Sequence, residues 1–275
     1  MSLGIVDAVV LGVVEGLTEF LPVSSTGHLT LAEGLLGLEV DDPAVTAFTA
    51  VIQMGAIVAV LLYFAKDIGR LISDFFGGLA SAPKRQEPGF RLAVGVIVGS
   101  IPIGIVGFAL RDVIKSGVLR SLVTVAIALV LWSAVMLLAE RRATQARGEQ
   151  DVTVRDTLLI GLAQCIALVP GVSRSGATIS AGLLLGLDRV TATRLSFFLS
   201  VPALTAAGLL ELKDALGEGV GVAPVLVGSV VSFVVALASI AFLLRFVAGH
   251  AITAFVPYRV ALGVVVLVVL GVQAL

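Results

Sequence analysis

EGLTEFLPVSSTGH, residues 15–28, sets two carboxylates, the hydroxyls of Ser24, Ser25 and Thr26, and a histidine inside a chain otherwise dominated by Val, Leu, Ala and Gly. The segment around it, 3–38, is apolar but interrupted at mid-length by proline, glycine and hydroxyl residues. That is the pattern of a re-entrant hairpin of two half-helices rather than of one straight span. Segment 157–187 has the same pattern, and the two align at an offset of 149 residues. Gly12 then falls on Gly161, Glu15 on Gln164, Val23 on Val172, Ser24 on Ser173 and Gly27 on Gly176. The run Leu35-Leu36-Gly37-Leu38 falls on Leu184-Leu185-Gly186-Leu187, and Phe48 on Phe197.

Composition fixes the solvent. The 275 residues are 58% hydrophobic and 13% charged, with a mean hydropathy of +1.12. A soluble domain carries about twice that charge. Six segments look able to cross a bilayer: 43–64, 90–110, 118–139, 193–212, 224–244 and a shorter 258–275. Each needs about 20 apolar residues to do so as a helix. The expected fold is thus an all-α polytopic membrane protein of one integral domain, 1–275. It divides into unit one (1–149) and unit two (150–275), each a re-entrant helical hairpin plus three transmembrane helices. Three spans per unit is an odd number, so the second copy is inverted, as in many transporters. The single cysteine, Cys165, excludes disulfides and Cys-based metal sites, and the scattered loop cations argue against nucleic acid as a partner. No basic residue precedes Lys66, which argues against a cleaved leader.

Loop charge predicts the orientation. Loops 66–91, 140–155, 188–194 and 245–259 hold 13 Lys and Arg, against 4 in the alternate set 39–43, 111–120 and 213–221. Cations gather on the cytoplasmic side. Both termini are therefore expected outside, the first hairpin entering from outside and the second from inside, their polar tips meeting near the middle of the membrane. Segment 66–80 spaces Ile68, Leu71, Ile72, Phe75 and Phe76 as an interfacial helix would, or as a plain linker.

Ionisable groups at bilayer depth mark function by default. Glu15 and Glu19, four residues apart, stack on one helix face and repel. A bound cation, a protonated partner or a guanidinium must compensate. PGVSRSGAT, residues 170–178, offers Arg174, the one basic residue placed inside a predicted membrane segment, whose planar fork matches phosphate oxygens. Ser173, Ser175, Gly176 and Thr178 surround it, and Ser24, Thr26 and Gly27 hold the matching places on the first hairpin. All seven are candidate phosphate ligands at half-helix N-termini, with helix capping the preferred reading for Ser24 and Thr26. Ser24, Ser25 and Thr26 are candidate nucleophiles or caps, and His28, within one turn of them, is a candidate base. Glu15 and Glu19 suit a hard divalent ion, Mg2+ or Ca2+. Gln53 either lines the cavity or bridges helices. The pairs Gly12 with Gly16, Gly95 with Gly99 and Gly182 with Gly186 read as packing, Trp132 as core or lipid-facing, and His250, Glu140 and Asp156 as solvated.

The two motifs, together with FTAVIQMGAIVAV (48–60), resemble the signatures of the undecaprenyl-diphosphate phosphatases, the bacitracin-resistance proteins, over essentially the whole chain. The resemblance implies a multi-pass enzyme of the bacterial plasma membrane that hydrolyses undecaprenyl diphosphate to undecaprenyl phosphate and inorganic phosphate, recycling the carrier for cell-wall polymers. It implies a divalent cation, a site opening to the outer side, and catalytic Glu19, Ser25, His28 and Arg174, with Ser25, His28 or water as the attacking group. Membrane lipid and a prenyl-diphosphate lipid are the expected partners, with a possible homodimer. A secondary transporter or flippase for an anionic or prenyl-phosphate substrate is the rival that the same architecture allows.

Overall fold

The computed structural model of the chain describes residues 3–40, 42–114, 119, 121–217 and 221–273, and they are built of helices. Two half-helices come first, α1 (Ile5–Thr18) and α2 (Ser25–Leu35). Then follow α3 (Pro43–Tyr63), α4 (Ala65–Ala80), α5 (Pro88–Ala109) and α6 (Leu122–Arg142). A second pair of half-helices, α7 (Val154–Ile166) and α8 (Arg174–Leu184), precedes α9 (Arg189–Gly217), α10 (Val222–Gly249) and α11 (Val256–Gln273). Five stretches are long and apolar enough to cross a membrane: Pro43–Tyr63, Pro88–Ala109, Leu122–Arg142, Val222–Gly249 and Ile252–Gln273. This is a polytopic membrane protein. The remaining expected span, 193–212, lies inside the 29-residue α9. Val118, Lys115, Arg120 and Leu275, which entered the expected spans and loop charges, lie outside the described residues.

Both hairpins break at the same place and in the same way. Ser24 (φ 78°) and Ser173 (φ 76°) stand in left-handed backbone that side chains rarely adopt. Each caps the helix that follows, its hydroxyl accepting the N–H of Gly27 or Gly176. The second half-helices end alike on Gly37 (φ 72°) and Gly186 (φ 83°), where an L side chain would be strained. Gly186 is therefore a helix terminator, not half of a packing pair with Gly182. The other two glycine pairs do pack. A methyl on Gly16 would lie 2.5 Å from the Ser232 carbonyl oxygen of α10, and one on Gly99 would lie 2.5 Å from the Thr157 carbonyl oxygen of α7.

The hairpin tips sit against the middle of α6. A methyl on Gly171 would be 2.4 Å from the Val125 carbonyl oxygen, and Trp132 touches the Gly176 position. At one end of the bundle the basic loops interlock. Arg70 pairs with Glu149 at 2.7 Å, Arg194 with Asp67 and Glu149 at 2.8 Å each, and Arg189 with Glu140. Glu140 also accepts the Ile252 N–H at 3.1 Å, so it is an ionic anchor rather than a solvated residue. Asp156 is likewise buried. It closes a capping box with Thr153 and binds Arg147 at 2.5 Å. Burial pushes its carboxyl up, but the Arg147 guanidinium and the Thr153 donors outweigh that and hold it below the usual carboxylate range. Segment 66–80 is helical in α4, with Ile68 and Phe75 packed inward and Ile72, Phe76 and Leu79 exposed.

Candidate active site

One carboxylate joins the two hairpins. Glu19, at the end of α1, is buried and receives the Arg174 Nη2 at 2.8 Å on Oε1 and the Ser25 hydroxyl at 2.6 Å on Oε2. Ser25 and Arg174 are the first residues of α2 and α8, the same position in the two hairpins. The offset of 149 thus brings a hydroxyl and a guanidinium to opposite oxygens of one side chain. Arg174 Nη1 leans on the Ser196 carbonyl at 3.4 Å, and its Nε is buried without a hydrogen-bond partner, a donor in reserve. Gln53 of α3 reaches Glu19 Oε2 from the other side at 3.4 Å. It both lines the cavity and bridges helices.

The other hydroxyls hold the hairpins to each other. Ser24 accepts the Gly171 N–H at 3.1 Å, and Ser175 donates to the Leu21 carbonyl at 3.0 Å while meeting Ser173 at 3.1 Å. Thr178 donates to the Arg174 carbonyl at 2.9 Å and to Ser196 at 2.7 Å. Ser24, Ser173, Ser175, Gly176 and Thr178 are all buried. Tip-to-tip and capping bonds engage the polar atoms of these residues, so they tie the two hairpins together. Of the seven, Thr26 alone stands exposed. It caps nothing, and its carbonyl instead accepts the Thr30 hydroxyl at 2.9 Å.

Thr26 opens onto a cleft of about 160 Å³ lined by Glu15, Ser25, Thr26, Thr30, Thr49 and Gln53, among others. Glu15 is 0% exposed, and neither carboxylate oxygen has a hydrogen-bond partner. Among the described residues no three His, Cys, Asp or Glu side chains come together as a complete metal cage. On the other side of Glu19 the way is shut. Phe20, Phe64, Phe197 and Phe198 interlock with ring centroids 5.3–5.5 Å apart, and the Arg194 guanidinium lies over Phe64 and Phe198.

His28 is set apart from this hub. Its Nδ1 is 2.7 Å from the Ser24 carbonyl oxygen and its Nε2 is 2.6 Å from the Tyr258 hydroxyl. The Ser25 hydroxyl is therefore bonded to Glu19, not to His28. Next to Tyr258 stands the residue that loop reading misplaced. Arg259 is no loop cation but is fully buried, in a stretch able to span the membrane, so Arg174 is not alone at depth. It donates to the carbonyls of Pro22 at 2.9 Å, Gly171 at 2.9 Å and Val172 at 3.1 Å, and to Ser133 at 3.3 Å. One guanidinium thus clasps both tips. The signal was its place inside the apolar run that opens at Val256 rather than before it.

The family model described as Bacitracin resistance protein BacA matches residues 8–265. Undecaprenyl-diphosphatase 3 of Frankia casuarinae is 55% identical over 268 residues, 96% of each chain. Undecaprenyl-diphosphatase 1 of Streptomyces avermitilis and the undecaprenyl-diphosphatase of Acidothermus cellulolyticus are each 57% identical over 266 residues, again 96% of both chains.

Proposed function

This chain belongs to the BacA bacitracin-resistance family, and from that premise we propose that it hydrolyses undecaprenyl diphosphate to undecaprenyl phosphate and inorganic phosphate at Glu19. The carrying observation is the single buried carboxylate bonded at once to a hydroxyl and to a guanidinium from the two hairpin tips. Arg174 turns its fork, with the spare Nε, toward the incoming phosphate oxygens. That releases Glu19 to act as a base. Ser25 Oγ bonds to the terminal phosphorus as the anhydride P–O bond breaks, the electron pair leaves with the prenyl phosphate, and the Ser25 proton passes to Glu19 Oε2. Water then displaces the phosphoryl group, and Glu19 returns its proton to the Ser25 oxygen.

Glu15 fits a hard divalent cation, with both oxygens unbonded on a cleft wall of hydroxyls and the Gln53 amide. Substrate phosphate oxygens would complete the donor set. When bound, Mg2+ or Ca2+ supplies charge neutralisation to the diphosphate.

The same reading makes the units 1–149 and 150–275 an inverted pair in a bacterial plasma membrane, with the site open outward. Three observations support it: equivalent breaks at Ser24 and Ser173, gathering of the basic loops at one end, and a cleft running along the first turns of α3, next to a loop without Lys or Arg. The test is phosphate release by the detergent-purified protein from a prenyl diphosphate, with and without chelator. Release that chelation abolishes is expected. No release under any metal would overturn the reading in favour of a transporter, and labelled phosphate trapped on His28 instead of Ser25 would reassign the nucleophile.

A further inference from the structure

We infer that Tyr258 is a positioning residue of the reaction, holding His28 in one tautomer and one orientation on the nucleophile's own helix, where the imidazole pins the Ser24 carbonyl and with it the placement of Ser25; this rests on the hydrolase reading above. His28 and Tyr258 are 230 residues apart in sequence, yet their rings stack with centroids 5.6 Å apart and planes 15° from parallel. The Ser24 carbonyl, 2.7 Å from Nδ1, can only accept, so that nitrogen carries a hydrogen. In the neutral ring Nε2 is then the acceptor, and the Tyr258 hydroxyl donates to it across 2.6 Å. Both bonds are needed. The first ties the imidazole to the peptide that precedes Ser25, and the second removes the alternative tautomer and stops rotation of the ring.

The setting gives the contact its weight. Tyr258 stands in the first turn of α11, and its hydroxyl is the hydrogen-bond partner that Nε2 has in the structure. The neighbouring Arg259 fixes the helix start against Pro22, Gly171 and Val172. Tyr258 is therefore referenced to the same two tips that carry Ser25 and Arg174. The first turn of α11 sets both the hairpin junction and the imidazole.

The experiment compares wild type, Tyr258→Phe, His28→Gln and the double variant by phosphate release from a short-chain prenyl diphosphate in detergent. Tyr258→Phe keeps the ring and its stacking and removes one oxygen. It should lower kcat roughly tenfold, the upper range of a hydrogen bond in a membrane interior, with KM within about twofold. In the His28→Gln background the same change should have no further effect, because the tyrosine acts through the histidine. The chain has two histidines, so nitrogen-15 NMR of the labelled protein, with His250→Gln for assignment, reads the tautomer directly. His28 should be held with its proton on Nδ1 in wild type and exchange between tautomers in Tyr258→Phe. An unchanged kcat, an additive double variant, or a His28 spectrum indifferent to Tyr258→Phe would each overturn the inference. Absence of phosphate release by wild type would instead overturn the hydrolase reading.

Discussion

The wall of the first hairpin is Thr26, Thr30, Thr46, Thr49 and Gln53, and 149 residues on stand Ser175, Ile179, Leu195, Phe198 and Pro202. Ile179, Leu195 and Phe198 are buried, whereas the threonine wall borders a cleft. Equivalent backbone therefore makes an entrance on one side and a seal on the other. The acids divide the same way, since Glu15 and Glu19 are matched by Gln164 and Leu168. The two capped tips share a backbone frame, and the flanking side chains differ in which half carries charge. Breaking a buried ion pair leaves an uncompensated charge, and the guanidinium that meets Glu19 comes from the opposite tip.

Breaking the comparison at its hub should have the largest effect. Glu19→Gln removes both the base and the partner of Arg174, and kcat should fall by about 1,000-fold, within the range for loss of general base catalysis. Arg174→Lys leaves a point charge where a fork is required, so kcat/KM in phosphate release should drop roughly 100-fold. The clasp comes next. Arg259→Met deprives three tip carbonyls of their donor and should cost about 2 kcal/mol, seen as a melting temperature several degrees lower in detergent.

The repeat mates give the sharpest contrast. Glu15→Gln should lower kcat/KM about 100-fold, as a carboxylate that shares in metal binding would. Gln164→Leu should leave turnover within about threefold of wild type. Both amide atoms of Gln164 are buried without hydrogen-bond partners, so the leucine should melt no lower. The smallest effect lies at the ionic end, in the Asp156–Arg147 pair. A folded carboxyl below its ordinary value stabilises fully above the unfolded pKa of about 3.9, and that contribution is lost as pH falls through the lower folded value. The melting-temperature gap between wild type and Asp156→Asn should thus stay constant from pH 7 to about 5 and close below about pH 4.

Much of this could be read along the chain. Pro22 and Pro170 interrupt apolar runs one place out of register, and Ser24 and Ser173 follow at matching places, so the two broken segments and the acid and arginine motifs announced themselves. Side chains that serve through long-range contacts did not. Glu140 and Asp156 look like loop-end charges until Arg189 and Arg147 fold against them. The bonds of the Ser175 and Thr178 hydroxyls to Leu21 and Ser196 are equally invisible along the chain. Arg259 shows only its place in the last apolar run, and neither it nor Tyr258 reveals its partners, which lie 87 to 237 residues away.

The sequence by itself determined a membrane-embedded helical chain with two proline-broken, polar-tipped segments, because apolarity and the missing proline N–H act locally. Only the tertiary structure decided that Ser25 and Arg174 share Glu19, that one flank opens while the other is packed shut with phenylalanine, and that the last helix clasps both tips. Those outcomes depend on which buried donors find which acceptors across the bundle, and hydrogen-bond pairing at that range is set by packing, not by spacing along the chain.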